Sequence, residues 1–193
     1  MSTSFDPLEI YRVMARYNSH MNAQLLAECS KFANETRKAP HGVPFDSLHG
    51  LWNHLLLANG VWMARFTNQP IGVTSLNQEL FAGWRELCDA HREMDERIER
   101  LIATRDAEIL GLTFRWTSMS NPQPREIPFF VALSHLFNHQ THHRGQAHGM
   151  LSGSWVRPPQ LDEFFAEEEA PLRAGEFAAL GWTEEGVWAV REG

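Results

Sequence analysis

Residues 129–151, FFVALSHLFNHQTHHRGQAHGML, contain no proline. At an advance of about 100° per residue they gather Phe129, Leu133, Leu136, Phe137, Ala147 and Leu151 on one broad stripe. A stretch of that length and period is a helix, with Pro128 well suited to its first position and an end near Leu151. A helix with one apolar face must bury it against other elements, so the fold is set by what the chain offers to pack there. The same helix carries five of the chain's ten histidines, between positions 135 and 150.

The partners are more helices. FDPLEIYRVMARYNSHMNAQLLAECSKFA spaces Leu8, Tyr11, Met14, Ala15, Leu25 and Leu26 helically, with Asp6 as N-cap and Pro7 in the first turn. RKAPHGVP then forbids further helix before Phe45. In DSLHGLWNHLLLANGVWMARF, Asp46 or Ser47 can cap, and Leu51, Leu55, Ala58, Trp62 and Phe66 repeat along one face. TNQPIGVTS reads as a loop, and Thr74 or Ser75 starts a third helix along Leu76, Leu80, Trp84, Leu87, Met94, Ile98 and Leu101. Between 110 and 127 the period shortens to two, with Leu112, Phe114 and Trp116 alternating before MSNPQP, which predicts a small β-hairpin. Beyond Leu151 the chain is acidic and broken by proline and glycine, with short helical pieces expected at 160–168 and 183–190. The expectation is an all-α fold, an up-and-down four-helix bundle with a hairpin before its last long helix.

A chain of 193 residues can bury a continuous core as one domain. A formal net charge of -7 argues against a general grip on nucleic-acid phosphates. Cys29 and Cys88 form no C-x-x-C pair, which points away from a disulfide scaffold or thiolate metal site. The opening residues mix polar and apolar types, unlike a secretory leader, and no apolar run is long enough to cross a membrane. A cytoplasmic protein is expected.

Residues four apart share a helix face, so His139 and His143 can aim two imidazoles at one point. Both border the apolar stripe, whereas His135 and His142 turn progressively away. An open divalent site generally takes three protein ligands and a water, so a third must come from another helix. The second helix offers His49 and His54. His54 shares a row with Leu51, Ala58 and Val61 and is the favoured one, with His49 still open. His20, His41, His91 and His148 read as ordinary surface or core histidines. Trp52, Trp62 and Phe137 read as core packing, and Arg144 either as a group that recognises an anionic substrate or, slightly favoured, as a surface ion pair. Spacing alone designates no catalytic acid or base.

LHGLWNHLLLANGVWMARF, followed by HLFNHQTHHRGQAHGML and PPQLDEFF, resembles the DinB-like, or DinB/YfiT-like, family of four-helix-bundle metalloproteins. The resemblance covers most of 5–166 and implies a domain over 1–166; residues 167–193 lie beyond it and are expected as a C-terminal extension packed on the same domain. It further implies a divalent cation held by His54, His139 and His143, and a homodimer. The wider group includes thiol-dependent transferases and isomerases. The small-molecule substrate is therefore expected to be joined by a low-molecular-weight thiol.

Three neutral imidazoles leave most of a divalent ion's charge to act on its open positions. Bound water there falls to a pKa of about 7, or a thiol is held as thiolate. Imidazole suits zinc or nickel and disfavours magnesium and calcium. Asn53, Asn138 and Gln146 are near enough in sequence to fix the other ring nitrogens. Three functions compete: a metal-dependent hydrolase or thiol S-transferase, a non-catalytic metal-binding or sensing protein, and a ferritin-like oxidase. The last needs paired E-x-x-H motifs, which this sequence lacks.

Overall fold

A computed structural model of the chain describes residues 5–42, 45–118, 123–162, 170–179 and 181–188. The first helix, α1 (Leu8–Ser30), starts where expected: Asp6 Oδ1 accepts from the Leu8 amide at 2.9 Å, and Pro7 has helical dihedrals. A short α2 (Asn34–Lys38) follows before the proline-rich break. Ser47 caps α3 (Leu48–Phe66) by accepting from the Gly50 amide at 3.0 Å.

The third long helix differs from the sequence reading. It begins at Trp84 and ends at Ala103 (α4), and residues 74–83 form a loop that contains Leu76 and Leu80. The reason lies in α3. Asn53 Oδ1 accepts from the amides of Leu80 at 2.8 Å and Phe81 at 2.9 Å, while Asn53 Nδ2 and His49 Nε2 donate to the Phe81 carbonyl. His54 Nδ1 takes the Leu76 carbonyl at 3.0 Å. Backbone groups that a helix would use internally are thus claimed by side chains of the neighbouring helix.

After a 3₁₀ turn (Ala107–Gly111), β1 (Thr113–Thr117) and β2 (Pro124–Pro128) pair antiparallel with Phe114 opposite Ile127 and Trp116 opposite Arg125. Phe114 turns inward against Phe66 and Phe129, whereas Leu112, expected on the same face, precedes the strand and is exposed. The last long helix, α5, spans Phe129–Ser152, with Pro128 just before it. Of the expected C-terminal pieces, residues 160–162 are not helical and 163–168 lie outside the described residues. The second piece is α7 (Glu184–Trp188), with 189–190 also outside them. An unanticipated α6 (Ala170–Ala179) packs on α1, setting Phe177 edge-on to His20, and its Arg173 forks onto Glu184 of α7.

The fold is therefore mostly helical with one small antiparallel sheet. Helices α1 and α3 each pack against both α4 and α5. The core between them includes Leu25, Leu51, Trp52, Leu87, Ile98 and Phe137, all essentially without solvent contact. No helix among the described residues is long and apolar enough to cross a membrane.

A polar layer crosses this core. Arg144, read from sequence as a surface residue, is 2% exposed, with its guanidinium over the Tyr17 ring and bonded to Asn18 Oδ1. The amide nitrogens of Asn18 and Asn22 donate onward to Asp95 at 2.9–3.1 Å. Two asparagines thus relay between a buried cation and a buried carboxyl. Removing one charge strands the other, which costs more than removing both. Asp95→Ala is expected to lower stability by about 3–5 kcal/mol in urea denaturation, and Asp95→Leu with Arg144→Met to recover part of that loss.

Candidate metal centre

Facing helices deliver three imidazoles to one point. His54 comes from the middle of α3, and His139 and His143 come from successive turns of α5. One ring nitrogen from each lies within 4.8 Å of the other two. His139 Nε2 and His143 Nε2 are 3.1 Å apart. A tetrahedral ion with bonds of about 2.0–2.1 Å to nitrogen needs its ligands roughly 3.4 Å from each other, so the α5 pair already has that bite.

The hydrogen bonds at the back of the rings fix which nitrogens face inward. A carbonyl oxygen can only accept, so His54 Nδ1 carries the proton it gives to Leu76 and its Nε2 is bare. The same logic applies to His143, whose Nδ1 donates to Gln146 Oε1 at 2.8 Å. The Nδ1 of His139 is buried with no hydrogen-bond partner among the described residues, leaving its tautomer free to follow whatever its Nε2 meets. This donor set, bare nitrogens at the distance a small cation demands, fits a divalent transition metal.

His54 and His143 are buried and His139 half-buried. Desolvation lowers the pKa of all three. It takes His139 to about 3 and His143 to about 4, with neighbouring imidazoles pushing in the same direction. All three are therefore neutral at pH 7, the state in which imidazole binds metals.

Phe45 roofs the cluster, stacked on His54 with ring centroids 3.6 Å apart and edge-on to His143. Its backbone comes down onto α3 where Gly50 has no side chain. A Cβ there would sit 2.2 Å from the Phe45 carbonyl oxygen. No pattern in the sequence announced either Phe45 or the Leu76 carbonyl, because both reach the cluster from loops: Phe45 by its ring and Leu76 by its backbone oxygen.

His49 is not in the cluster; its Nε2 faces the loop, 2.9 Å from the Phe81 carbonyl and 3.1 Å from Glu79. His135 and His142 are exposed. His91 is buried and donates to the Trp52 carbonyl at 2.9 Å, and buried His20 meets Gln24 at 3.2 Å. His41 is exposed and His148 half-buried. Of the amides expected behind the rings, Gln146 is there, Asn53 holds the loop instead, and Asn138 is exposed. Trp52 and Phe137 are core residues, but half-buried Trp62 also lines a cleft. Two clefts meet at His54 and Leu76: one of about 670 Å³ running past Phe45 towards Glu79, and one of about 310 Å³ running towards the hairpin.

A mostly helical chain with three histidine nitrogens gathered between facing helices and a small hairpin ahead of the last one defines a class: helical proteins with an inter-helix histidine cluster that could hold a metal ion. The model of the DinB family matches residues 1–177, and the chain belongs to that family. The fold is shared with the crystal structure of a DinB-like protein from Bacillus cereus, at 16% identity and a TM-score of 0.58 over 77% of this chain and 95% of that one. No curated protein matches the chain.

Acid should test the imidazoles directly. Unfolded, each histidine binds a proton near pH 6.5; folded, His139 and His143 do so only near 3 and 4. Between those values the unfolded state holds more protons. The stability these groups contribute is therefore complete above about pH 6.5 and drains away as pH falls towards 4. Asp95, raised by burial to about 7, acts in the opposite sense, so the informative quantity is a difference. In chelator, wild type is expected to lose more stability between pH 7 and 4.5 than His139→Gln/His143→Gln, measured by urea midpoints. Gly50→Ala is expected to unseat Phe45 and lower the melting temperature.

Proposed function

We propose that this protein is a metal-dependent enzyme that holds a divalent transition-metal ion, zinc or nickel, through His54, His139 and His143. The observation carrying the proposal is the pair of back-side acceptors, the Leu76 carbonyl and Gln146 Oε1, which force two bare nitrogens towards the third ring. Such an ion, when bound, supplies Lewis acidity that makes a bound water or thiol give up its proton near neutral pH. The chain's part is to hold the imidazoles neutral, to keep bulk water off them with Phe45, and to leave access from two sides.

Two clefts converging on His54 favour a two-substrate reaction, a thiol-dependent transfer in which a low-molecular-weight thiol and a small acceptor approach from opposite sides, over simple hydrolysis. They also disfavour a closed, non-catalytic metal site. In this reading the four long helices form an up-and-down bundle of the DinB/YfiT-like kind over residues 1–166, with 167–193 packed on it. The pairwise packing of α1 and α3 with α4 and α5, and of α6 on α1, supports it. A homodimer is supported by exposed Ile10, Phe130 and Val131 on the adjoining helices α1 and α5. A cytoplasmic setting is supported by two free thiols, Cys29 and Cys88.

Metal analysis of the purified protein is expected to find stoichiometric zinc or nickel, lost in His54→Ala, His139→Ala and His143→Ala and retained in His49→Ala, His135→Ala and His142→Ala. Gln146→Ala should weaken binding about 10- to 100-fold. Undiminished metal in all three ligand variants would overturn the assignment.

A further inference from the structure

The smaller cleft has a charge that the rest of the chain does not prepare for. The protein carries 24 acidic and 17 basic residues, yet the lining of this cleft includes Arg65, Arg125 and three histidines and no carboxylate. The larger cleft, by contrast, mixes Lys38 with Asp46 and Glu79. Arg65 is half-buried, lies 4.8 Å over the Trp62 ring, and among the described residues has the Thr117 carbonyl at 3.4 Å as its one hydrogen-bond acceptor. Arg125, on β2 opposite Trp116, is exposed. Neither guanidinium belongs to an ion pair among the described residues, although Arg115 of the same hairpin pairs with Glu126 at 2.6 Å. Trp62 and Trp116 bring their rings to 6.0 Å of each other, and His135 stands 4.8 Å from Trp62. The head of the cleft is His54 and His139.

Cations that form no ion pair among the described residues, set beside two half-buried indoles, make a recognition surface for an anion with a flat body. Guanidinium matches a carboxylate in plane and hydrogen-bond spacing, and indole stacks on planar apolar groups. About 310 Å³ lies at the lower end of the range for small-molecule sites. We propose that this cleft is the acceptor-substrate subsite and takes a small planar carboxylate, its anionic end on Arg65 and Arg125 and its body against Trp62 and Trp116. The direction of the reacting end, towards His54 and His139, rests on the metal-centre reading; the anion recognition does not.

Isothermal titration calorimetry with benzoate, benzyl alcohol and inorganic phosphate tests this on the full chain, both in chelator and zinc-loaded. Benzoate is expected to bind the metal-free protein at least about tenfold more tightly than benzyl alcohol or phosphate. Arg125→Gln and Arg65→Gln should each weaken it about tenfold, a fold-change ordinary for losing one charge-assisted contact. Arg125 is exposed, so its variant carries little folding risk, and Arg65→Lys should keep part of the affinity. Equal binding of benzoate and benzyl alcohol, indifference to both arginine variants, or a preference for phosphate would overturn the proposal. Intact benzoate recognition in a wild-type protein that binds no metal would sink the metal reading alone.

Discussion

Three imidazoles withdrawn from water at one point create a demand that the rest of the molecule is arranged around. Each ring has two nitrogens, and a buried nitrogen without a partner is costly. The back nitrogens of His54 and His143 are satisfied by the Leu76 carbonyl and Gln146. The front nitrogens have only one another, and two lone pairs at 3.1 Å need either a shared proton or a cation between them. Desolvation keeps the rings neutral, so the single proton of His139 is the one that can bridge to His143, and its move to the otherwise unpartnered Nδ1 frees both lone pairs for a cation.

What holds α5 in the rotation that serves this site is its next residue. His143 and Arg144 are adjacent, so they point about 100° apart on the helix. His143 faces α3 and the cluster, whereas Arg144 reaches α1 and, through Asn18 and Asn22, Asp95 of α4. A purely apolar interface tolerates small slippage, but a buried guanidinium with designated acceptors does not. The polar layer therefore acts as a register pin for the ligand-bearing helix.

Periodicity made three of the four long helices, the hairpin and the His139–His143 pair legible, because burial and side-chain direction both follow from residue spacing along a helix, while it favoured His54 without excluding His49. The same wheel sets Arg144 seven residues after Phe137 and seven before Leu151, inside the apolar stripe, although a guanidinium's charge favours the surface. The start of α4 was illegible for another reason. Leu76 and Leu80 have helical spacing, but tertiary bonds from His49, Asn53 and His54 outcompete the local ladder, and such bonds have no period. Helix α6 was hidden by Pro171 and Gly175, residues that argue against a helix anywhere but at its first turn or a tolerated interior site.

The segment over the cluster carries the clearest sign of local cost. Phe45 and Asp46 both have positive φ, 70° and 65°, a region that side-chain-bearing residues rarely adopt. They are pinned there by the His41 amide on the Asp46 carbonyl at 2.7 Å and the Ser47 amide on the Phe45 carbonyl at 2.8 Å, with Gly50 leaving room beneath. A relaxed turn could have entered α3 equally well, since the Ser47 cap needs only its own residue extended. The strained one lays an aromatic ring flat on His54, which excludes water from one face of the imidazole while the two clefts open beside it. Strain of this kind persists where surrounding contacts over-determine it, and its outcome here is the Phe45 ring stacked on His54. Water is thus kept from one face of the ring without closing the approach to its bare nitrogen.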